Sequence, residues 1–296
     1  MPWLLTVWCN SHSRNFLRTR REAIPAFFYI QSRNSSVAPC LTAGPVPVYD
    51  SIMISDSIET QVWQKLVAEV RQQHAFLDLF TKGWVGDYLA QGKEIHCGRG
   101  CSSCCTLAVN ATFAEAVAAA NELSAVQEHA VNGHVERLRQ LCSHSSDMKS
   151  YLRLHRTDAG LCPLIAQDGS CGIYNNRPLS CRSLLSTKES FWCRADFAAL
   201  TAEQKEVFLA DLDRTAVAFP MHYVSASQEV GQDLEIASNK RMQEAFGFFL
   251  YGSFPALLFL VRSVGLEKLC SKGVDVVRQT LSDTGLDHPF LVSIQI

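Results

Sequence analysis

The cysteines of this chain are concentrated in one segment, and this constrains its fold more than any other feature. The chain has 12 cysteines among 296 residues. Nine of them lie between positions 97 and 193: Cys97, Cys101, Cys104, Cys105, Cys142, Cys162, Cys171, Cys181 and Cys193. Such a dense group is typical of a disulfide framework in a secreted protein or of a thiolate metal site in a reduced compartment.

The N-terminal segment favours the reduced compartment. Met1 to Cys9 is apolar, but the arginines follow it instead of preceding it, which is the wrong order for a secretory signal. Residues 1–49 contain five arginines and a single acid, Glu22, which would suit a mitochondrial transit peptide in a eukaryote. We favour a simpler interpretation, in which residues 1–52 are a disordered extension or result from an upstream translation start that the cell does not use. The expected location is the cytoplasm.

The overall composition predicts a globular protein without a nucleic-acid partner or a membrane span. The chain is 47% hydrophobic and 19% charged, with a formal net charge of −2, so the basic surface typical of nucleic-acid binding is missing. The longest apolar run, 245–261, contains two glycines and a proline and is shorter than the ~20 residues of a membrane span. It predicts a buried pair of core helices instead.

Hydrophobic periodicity predicts a mainly α fold, with helices around a loop-rich cysteine cluster. Capping-box patterns at Thr112, Ser124 and Thr201 predict helix starts. The helix after Thr201 is expected to carry Val207, Phe208, Leu212 and Val217. The predicted helices span about 56–80, 113–123, 125–142, 202–217, 238–262 and 265–281.

Between Ser143 and Asp196 the periodicity fades and turn residues increase. We therefore expect residues 53–200 to form a metal-stapled domain and residues 201–296 to form a helical region that packs on it. No internal repeat and no alternation of strands with helices is visible, which argues against a Rossmann fold or a TIM barrel.

The first group of cysteines has the spacing C-x3-C-x2-C-C, formed by Cys97, Cys101, Cys104 and Cys105. Thiolates this close can converge on one ion or cluster, and Gly98 and Gly100 allow the backbone to turn around it. Adjacent side chains usually diverge. Cys104 and Cys105 are therefore expected to serve different metals, or one a metal and the other a core contact.

The second group follows in the segments Leu161-Cys162-Pro163-Leu164, Asp168-Gly169-Ser170-Cys171-Gly172-Ile173-Tyr174 and Arg177-Pro178-Leu179-Ser180-Cys181-Arg182. Together with the first group, this compound motif resembles the YkgJ-type cysteine-cluster family, whose members are described as chelating zinc or iron. The resemblance covers about residues 97–195. This sequence has Leu164-Ile165 where the family more commonly has Phe-Leu. The difference is expected to affect packing in the core and not metal ligation.

The resemblance implies a set of metal ligands, and most family members have no established reaction. The family positions are Cys97, Cys101, Cys104, Cys105, Cys162, Cys171 and Cys181, with Cys193 expected as an eighth ligand. Cys142, late in a helix, is interpreted as a buried apolar thiol. His96 and His155 lie beside the motif, but neither is assigned as a ligand.

Crowded thiolates need positive charge nearby, and the same segments contain Arg99, Arg177, Arg182 and Arg194. Spacing alone leaves the metal open between two four-cysteine zinc sites and one iron–sulfur cluster with spare ligands. Three close cysteines with a remote one is the commoner iron–sulfur arrangement, so we lean to iron.

Three functions remain open on sequence grounds. The first is a metal-binding protein whose cluster is structural or redox-active, and the second is a zinc-stapled interaction or metal-handling module. The third is an iron–sulfur enzyme such as a protein methyltransferase, since flagellin lysine methylases carry a similar cysteine cluster. The first three cysteines also match the C-x3-C-x2-C fingerprint of radical S-adenosylmethionine enzymes, but Ser103 stands where those usually have an aromatic residue. The sequence identifies no substrate and no protein partner.

Overall fold

A computed structural model of the chain describes its backbone from residue 48 to residue 296 and its side chains from residue 59 onward. Cys9, Cys40 and the predicted transit or extension segment up to residue 47 lie outside the described residues. Contacts divide the chain into two units, Met1–Asp56 and Ser57–Ile296. The second unit contains the nine clustered cysteines and Cys270.

The fold is mainly α, as the sequence predicts, with 60% of the described residues in helices and a small three-stranded sheet. The α-helices are α1 Val48–Ala90, α2 Phe113–Ala120, α3 Ala125–Ser143, α4 Met148–Asp158, α5 Leu179–Ser183, α6 Ser190–Arg194, α7 Ala202–Ala210, α8 Ser225–Phe246, α9 Phe254–Phe259 and α10 Val274–Asp283. The strands are β1 Asn110–Thr112, β2 Phe249–Ser253 and β3 Val292–Gln295.

The three predicted helix starts are confirmed as capping boxes. Thr112, Ser124 and Thr201 each accept a hydrogen bond from the backbone three residues later, and the side chain at that later position bonds back to the cap. This satisfies backbone N–H groups that have no partner within the helix. The predicted start of the first helix at Asp56 is wrong, because α1 already begins at Val48. It also continues ten residues beyond the predicted end at Phe80, where Trp84 stacks on the buried Tyr88 with ring centroids 4.8 Å apart.

Two predictions around the loop-rich segment are wrong in detail. Residues 148–158 form helix α4, whose cap is an Asp147–Ser150 pair instead of the Glu or Gln pattern that marks the other starts. Helix α7 ends at Ala210. Leu212 and Val217 therefore follow the helix, although both are buried as expected.

The prediction of a helix over 238–262 is also wrong. Helix α8 ends at Gly247, whose φ of +82° is a left-handed conformation that favours glycine. The apolar run then forms strand β2 and the short helix α9, because burial in a sheet and in a helix requires the same apolar residue types. The predicted helix over 265–281 is interrupted at Gly273, between a 3-10 helix at Leu266–Lys272 and α10. Among the described residues, no helix has the length and apolarity needed to cross a bilayer.

The sheet is antiparallel with β2 in the centre. Ala111 of β1 and Val292 of β3 both pair with Gly252. At this position a Cβ atom would lie 2.0 Å from the carbonyl oxygen of Leu291, so only glycine fits the close approach of the two backbones. The sheet therefore ties the segment after the first cysteines to the C-terminal part of the chain.

The main hydrophobic core surrounds α2, in which every residue is buried. Its alanines allow α8 and α9 to approach closely. A smaller apolar cluster contains Tyr88, Phe208, Leu212, Ala216 and Val217. The loops that contain the cysteines pack on these two cores. The first of them connects the end of α1 to the start of β1.

Candidate metal centre

The first cysteine segment is a series of tight turns. The N–H of Cys101 donates to the carbonyl of Gly98 at 3.1 Å, and the N–H of Cys105 donates to that of Ser102 at 3.0 Å. Gly100 has a φ of +95°, a conformation that other residues rarely adopt. These turns hold four sulfurs within nine residues, as the spacing predicts.

Cys162 and Cys171 lie on a small hairpin. Ile165 pairs with Cys171 across it, and the N–H of Gly172 donates to the carbonyl of Leu164 at 2.8 Å. Gly169 makes the turn with a φ of +80°. The D-G-x-C part of the motif therefore forms the turn of this hairpin. The turn places Cys171 opposite Ile165, three residues after Cys162.

Cys181 lies on α5, and buried polar side chains hold this short helix in place. Glu115 accepts a hydrogen bond from the N–H of Leu179 at 2.6 Å, so the glutamate of the α2 capping box also binds the first turn of α5. On the other side, Ser227 of α8 donates to the carbonyl of Ser183 at 2.7 Å. Helices α2 and α8 thus fix the position of Cys181.

Cys97 and Cys193 are connected through the segment around Ser186. The N–H of Ser186 donates to Cys97 Sγ at 3.1 Å, and its carbonyl accepts from the N–H of His96 at 3.0 Å. Cys193 lies on α6 and is buried. Negative charge on Cys193 raises the pKa of Cys97, so the two sulfurs lie within electrostatic reach of each other.

The eight predicted ligands form one electrostatic network with Cys104 at its centre. A hydrogen bond with Cys105 and burial raise the pKa of Cys104 well above its usual range. Charge on Cys104 in turn raises the pKa of thiols from both halves of the motif, namely Cys97, Cys162, Cys181 and Cys193. Charge on Cys101 acts on Cys97 and Cys193, and charge on Cys171 acts on Cys162 and Cys181.

Burial is the main cause of the raised pKa at Cys97 and at Cys162, where it reaches about 11 for each. These two thiols are therefore protonated near neutral pH unless a cation is present. Among the described residues, no three Cys, His, Asp or Glu side chains are arranged closely enough to hold a metal ion as they stand. The ten described cysteines are all free thiols. The donor set still fits a thiophilic metal, since clustered thiolates require positive charge and suit zinc or iron.

The four arginines of the motif have different roles. Arg177 lowers the pKa of Cys104 and Cys181, and its guanidinium stacks on Tyr174 at 3.8 Å from the ring centroid. Arg182 instead faces away from the thiols. It is buried and binds the carbonyls of Arg177 and Asn175 together with the Asp78 carboxylate.

Arg99 and Arg194 lie at the edge of the centre. The Arg99 guanidinium is 5.1 Å from the centroid of the Tyr174 ring, on which Arg177 also packs. Arg194 donates to Ser102 Oγ at 3.5 Å. Arg177 therefore acts on Cys104 and Cys181 electrostatically, whereas the hydrogen bonds of Arg182 hold the loop that presents Cys181.

The histidines that sequence reasoning considered have other partners. His96 Nε2 is 3.6 Å from Glu94, and His155 Nδ1 is 3.2 Å from the carbonyl of Thr106. His222 lies outside the sequence motif, but its Nε2 lies 3.5 Å from Cys193 Sγ. Burial lowers the pKa of His222 to about 4, so the ring is neutral. No motif could have identified it, because it lies 29 residues beyond Cys193.

Cys142 and Cys270 belong to the main hydrophobic core and lie outside the network of eight. Cys270 donates to the carbonyl of Leu266 at 3.5 Å, and burial raises the pKa of Cys142 to about 11. Both are placed as apolar core thiols, which is how the sequence pattern interprets Cys142.

Comparison with known proteins supports metal chelation by this region. Residues 96–200 match the model of the CxxCxxCC family, which is described as a "Putative zinc- or iron-chelating domain". The matched residues contain all eight predicted ligands and extend from His96 to Leu200. Neither curated proteins nor solved structures gave a match to the chain.

Proposed function

We propose that this chain binds iron as an iron–sulfur cluster, held by thiolates of its YkgJ-type motif in the cytoplasm. The proposed ligands are Cys97, Cys101, Cys104, Cys105, Cys162, Cys171, Cys181 and Cys193. The family match supports the chelation of zinc or iron, and the identity of the metal is our proposal. When bound, the cluster would cross-link the loops of residues 97–193 and could accept or donate an electron.

The observation that carries this proposal is the direct contact between the two halves of the motif, where the N–H of Cys162 donates to the carbonyl of Cys105 at 2.8 Å. Two separate four-cysteine zinc sites would divide the thiols into two independent groups, whereas this contact joins the halves and charge on Cys104 acts on thiols of both. A single centre with several metal ions, in contrast, can take ligands from both halves of the motif at once. The eight thiols exceed the four that one cluster needs, so we expect some of them to remain outside the coordination shell.

We also propose that residues 53–200 are the metal-binding domain and that residues 201–296 stabilise it by packing. The contact between Ser227 of α8 and the carbonyl of Ser183 supports this division. A close approach supports it too: a Cβ atom on Gly231 of α8 would lie 2.8 Å from Ser183 Cβ. The near-neutral charge gives no reason to expect a nucleic-acid partner.

The metal is tested by purifying the full chain anaerobically and measuring iron, zinc and acid-labile sulfide. The expected result is iron and sulfide in comparable amounts, with the charge-transfer absorption of iron–sulfur clusters. Stoichiometric zinc without sulfide would contradict the iron–sulfur proposal and support the zinc-stapled alternative. Protein without either metal after reconstitution would contradict chelation itself.

The ligand assignment is tested by Cys104→Ser, with Cys142→Ala as its matched control. Cys104→Ser should reduce the bound metal to a minor fraction, because it removes the thiol shared by both halves of the network. Cys142→Ala removes a buried thiol from the core and should leave the metal content unchanged. Equal metal content in the two variants would show that Cys104 is not a ligand.

A further inference from the structure

We propose that His222 Nε2 is a ligand of the same metal centre, on the side of Cys97, Cys101 and Cys193. This inference rests on the proposed metal-binding function and adds a nitrogen ligand to its thiolates. His222 lies outside the matched residues 96–200, so the cysteine motif does not include it.

The distance between His222 Nε2 and Cys193 Sγ is 3.5 Å. A tetrahedral metal with bonds of about 2.3 Å to sulfur and about 2.0 Å to nitrogen holds these two ligand atoms about 3.5 Å apart. The pair therefore already has the separation of two ligands of one ion. Tetrahedral coordination by sulfur and nitrogen is found for zinc and in iron–sulfur proteins.

Backbone pairing brings His222 to this position. The N–H of Thr187 donates to the carbonyl of His222 at 3.0 Å, and the N–H of Val224 donates to that of Leu185 at 2.9 Å. The same 185–187 segment donates to Cys97 Sγ through Ser186. The 185–187 segment therefore contacts Cys97 through the N–H of Ser186 and His222 through the N–H of Thr187.

Apolar contacts hold the ring of His222 in place, and its two nitrogen atoms have few hydrogen-bonding partners among the described residues. It packs on Tyr223 with centroids 4.1 Å apart and meets the edge of Phe208 at 5.7 Å. Its Nδ1 is buried without a hydrogen-bond partner among the described residues. Among the residues that the structure describes, the ring has one hydrogen-bonding contact, the Cys193 sulfur. A metal bond at Nε2 would compensate for the burial of that nitrogen.

A thiol beside an imidazole could also be a catalytic nucleophile with its base. Burial argues against this alternative. Cys193 is 4% exposed and His222 is 2% exposed, so a substrate cannot reach the sulfur. A metal ligand needs no such access. Ligation by the neutral imidazole requires only that Cys193 loses its proton, while the His222 proton stays on Nδ1.

The test is X-ray absorption at the edge of whichever metal the purified full chain contains, together with metal analysis. The wild-type spectrum should contain an imidazole nitrogen shell beside the sulfur shell, and His222→Ala should lose the nitrogen shell. His222→Cys supplies a thiolate at the same position and should retain metal with sulfur ligands only. If an iron–sulfur cluster is present, hyperfine coupling to nitrogen in its reduced form should likewise disappear in both variants.

The matched control is His134→Ala, which removes another buried histidine ring, one that faces His155 instead of the thiols. It should leave the nitrogen shell unchanged. A wild-type spectrum with sulfur ligands only, or a nitrogen shell that persists in both His222 variants, would overturn the inference while leaving thiolate chelation intact. Wild-type protein without bound metal would overturn the proposed function as well.

Discussion

The main-chain N–H of Cys162 donates a hydrogen bond to the main-chain carbonyl of Cys105 at 2.8 Å. These residues are the last cysteine of the first group and the first cysteine of the second. The bond joins two segments that are separated in sequence by strand β1 and helices α2, α3 and α4. The cysteine centre therefore depends on how the helical core positions its loops as well as on the loops themselves.

Metal uptake should become stronger as the pH rises. Burial raises the pKa of Cys97 and Cys162 to about 11, so these thiols must lose protons when they bind a metal. The apparent affinity should increase by about tenfold per pH unit for each proton released. Competition with a chelator, with its own pH dependence measured, at pH 6.5, 7.5 and 8.5 would give the number of protons. An affinity that does not change with pH would show that the ligands are already thiolates in the metal-free protein.

Arg182→Lys should destabilise the chain by about 1–3 kcal/mol, because lysine cannot replace a guanidinium that bonds two carbonyls and a carboxylate at once. Arg182 is only 6% exposed. Its partner Asp78 is largely exposed, so the ion pair itself contributes little to the free energy of unfolding. Urea unfolding measures the change. The control is Arg153→Lys at an exposed position of α4, where the change should stay within about 0.5 kcal/mol. Similar effects in both variants would contradict the bracing role of Arg182.

Glu235 should make the protein less stable as the pH rises from about 5 to 8. Burial, together with the charge of Glu115, raises the pKa of Glu235 to about 8. Because the folded-state pKa lies above the unfolded value, the protonated carboxyl stabilises the fold at low pH, and this contribution is lost as the pH approaches 8.

Glu235→Gln keeps the shape and the hydrogen bond that Tyr251 donates to Glu235 Oε2. This variant should gain stability relative to wild type as the pH rises from 5 to 8, measured by urea unfolding at both values. A stability difference that is the same at both pH values would show that Glu235 does not titrate in this range.

The same substitution should have opposite effects at two glycines. Gly252→Ala places a Cβ 2.0 Å from the Leu291 carbonyl and should destabilise the sheet by about 1–3 kcal/mol. Gly133→Ala lies in α3, where a Cβ meets nothing within 4 Å, and it should stabilise the helix by about 0.5–1 kcal/mol. Thermal unfolding of both variants tests the pair. Tolerance of alanine at position 252 would mean that β2 and β3 can separate there.

Local signals predicted the parts of the fold that depend on neighbouring residues. The capping boxes at Thr112, Ser124 and Thr201 begin helices because their hydrogen bonds span only three residues. Cap Asp147 was missed because its partner is a serine. The run 245–261 was misassigned, since its conformation depends on pairing with Val292, far along the chain.

The sequence by itself determined the mainly α class and the region that would carry the cysteine centre, because motif spacing and helix periodicity are local properties. Only the tertiary structure placed Cys104 at the centre of the network, turned Arg182 away from the thiols and brought His222 to Cys193. These relationships join residues that are distant in sequence. Packing, backbone pairing and shared burial create such contacts, and no local pattern records them.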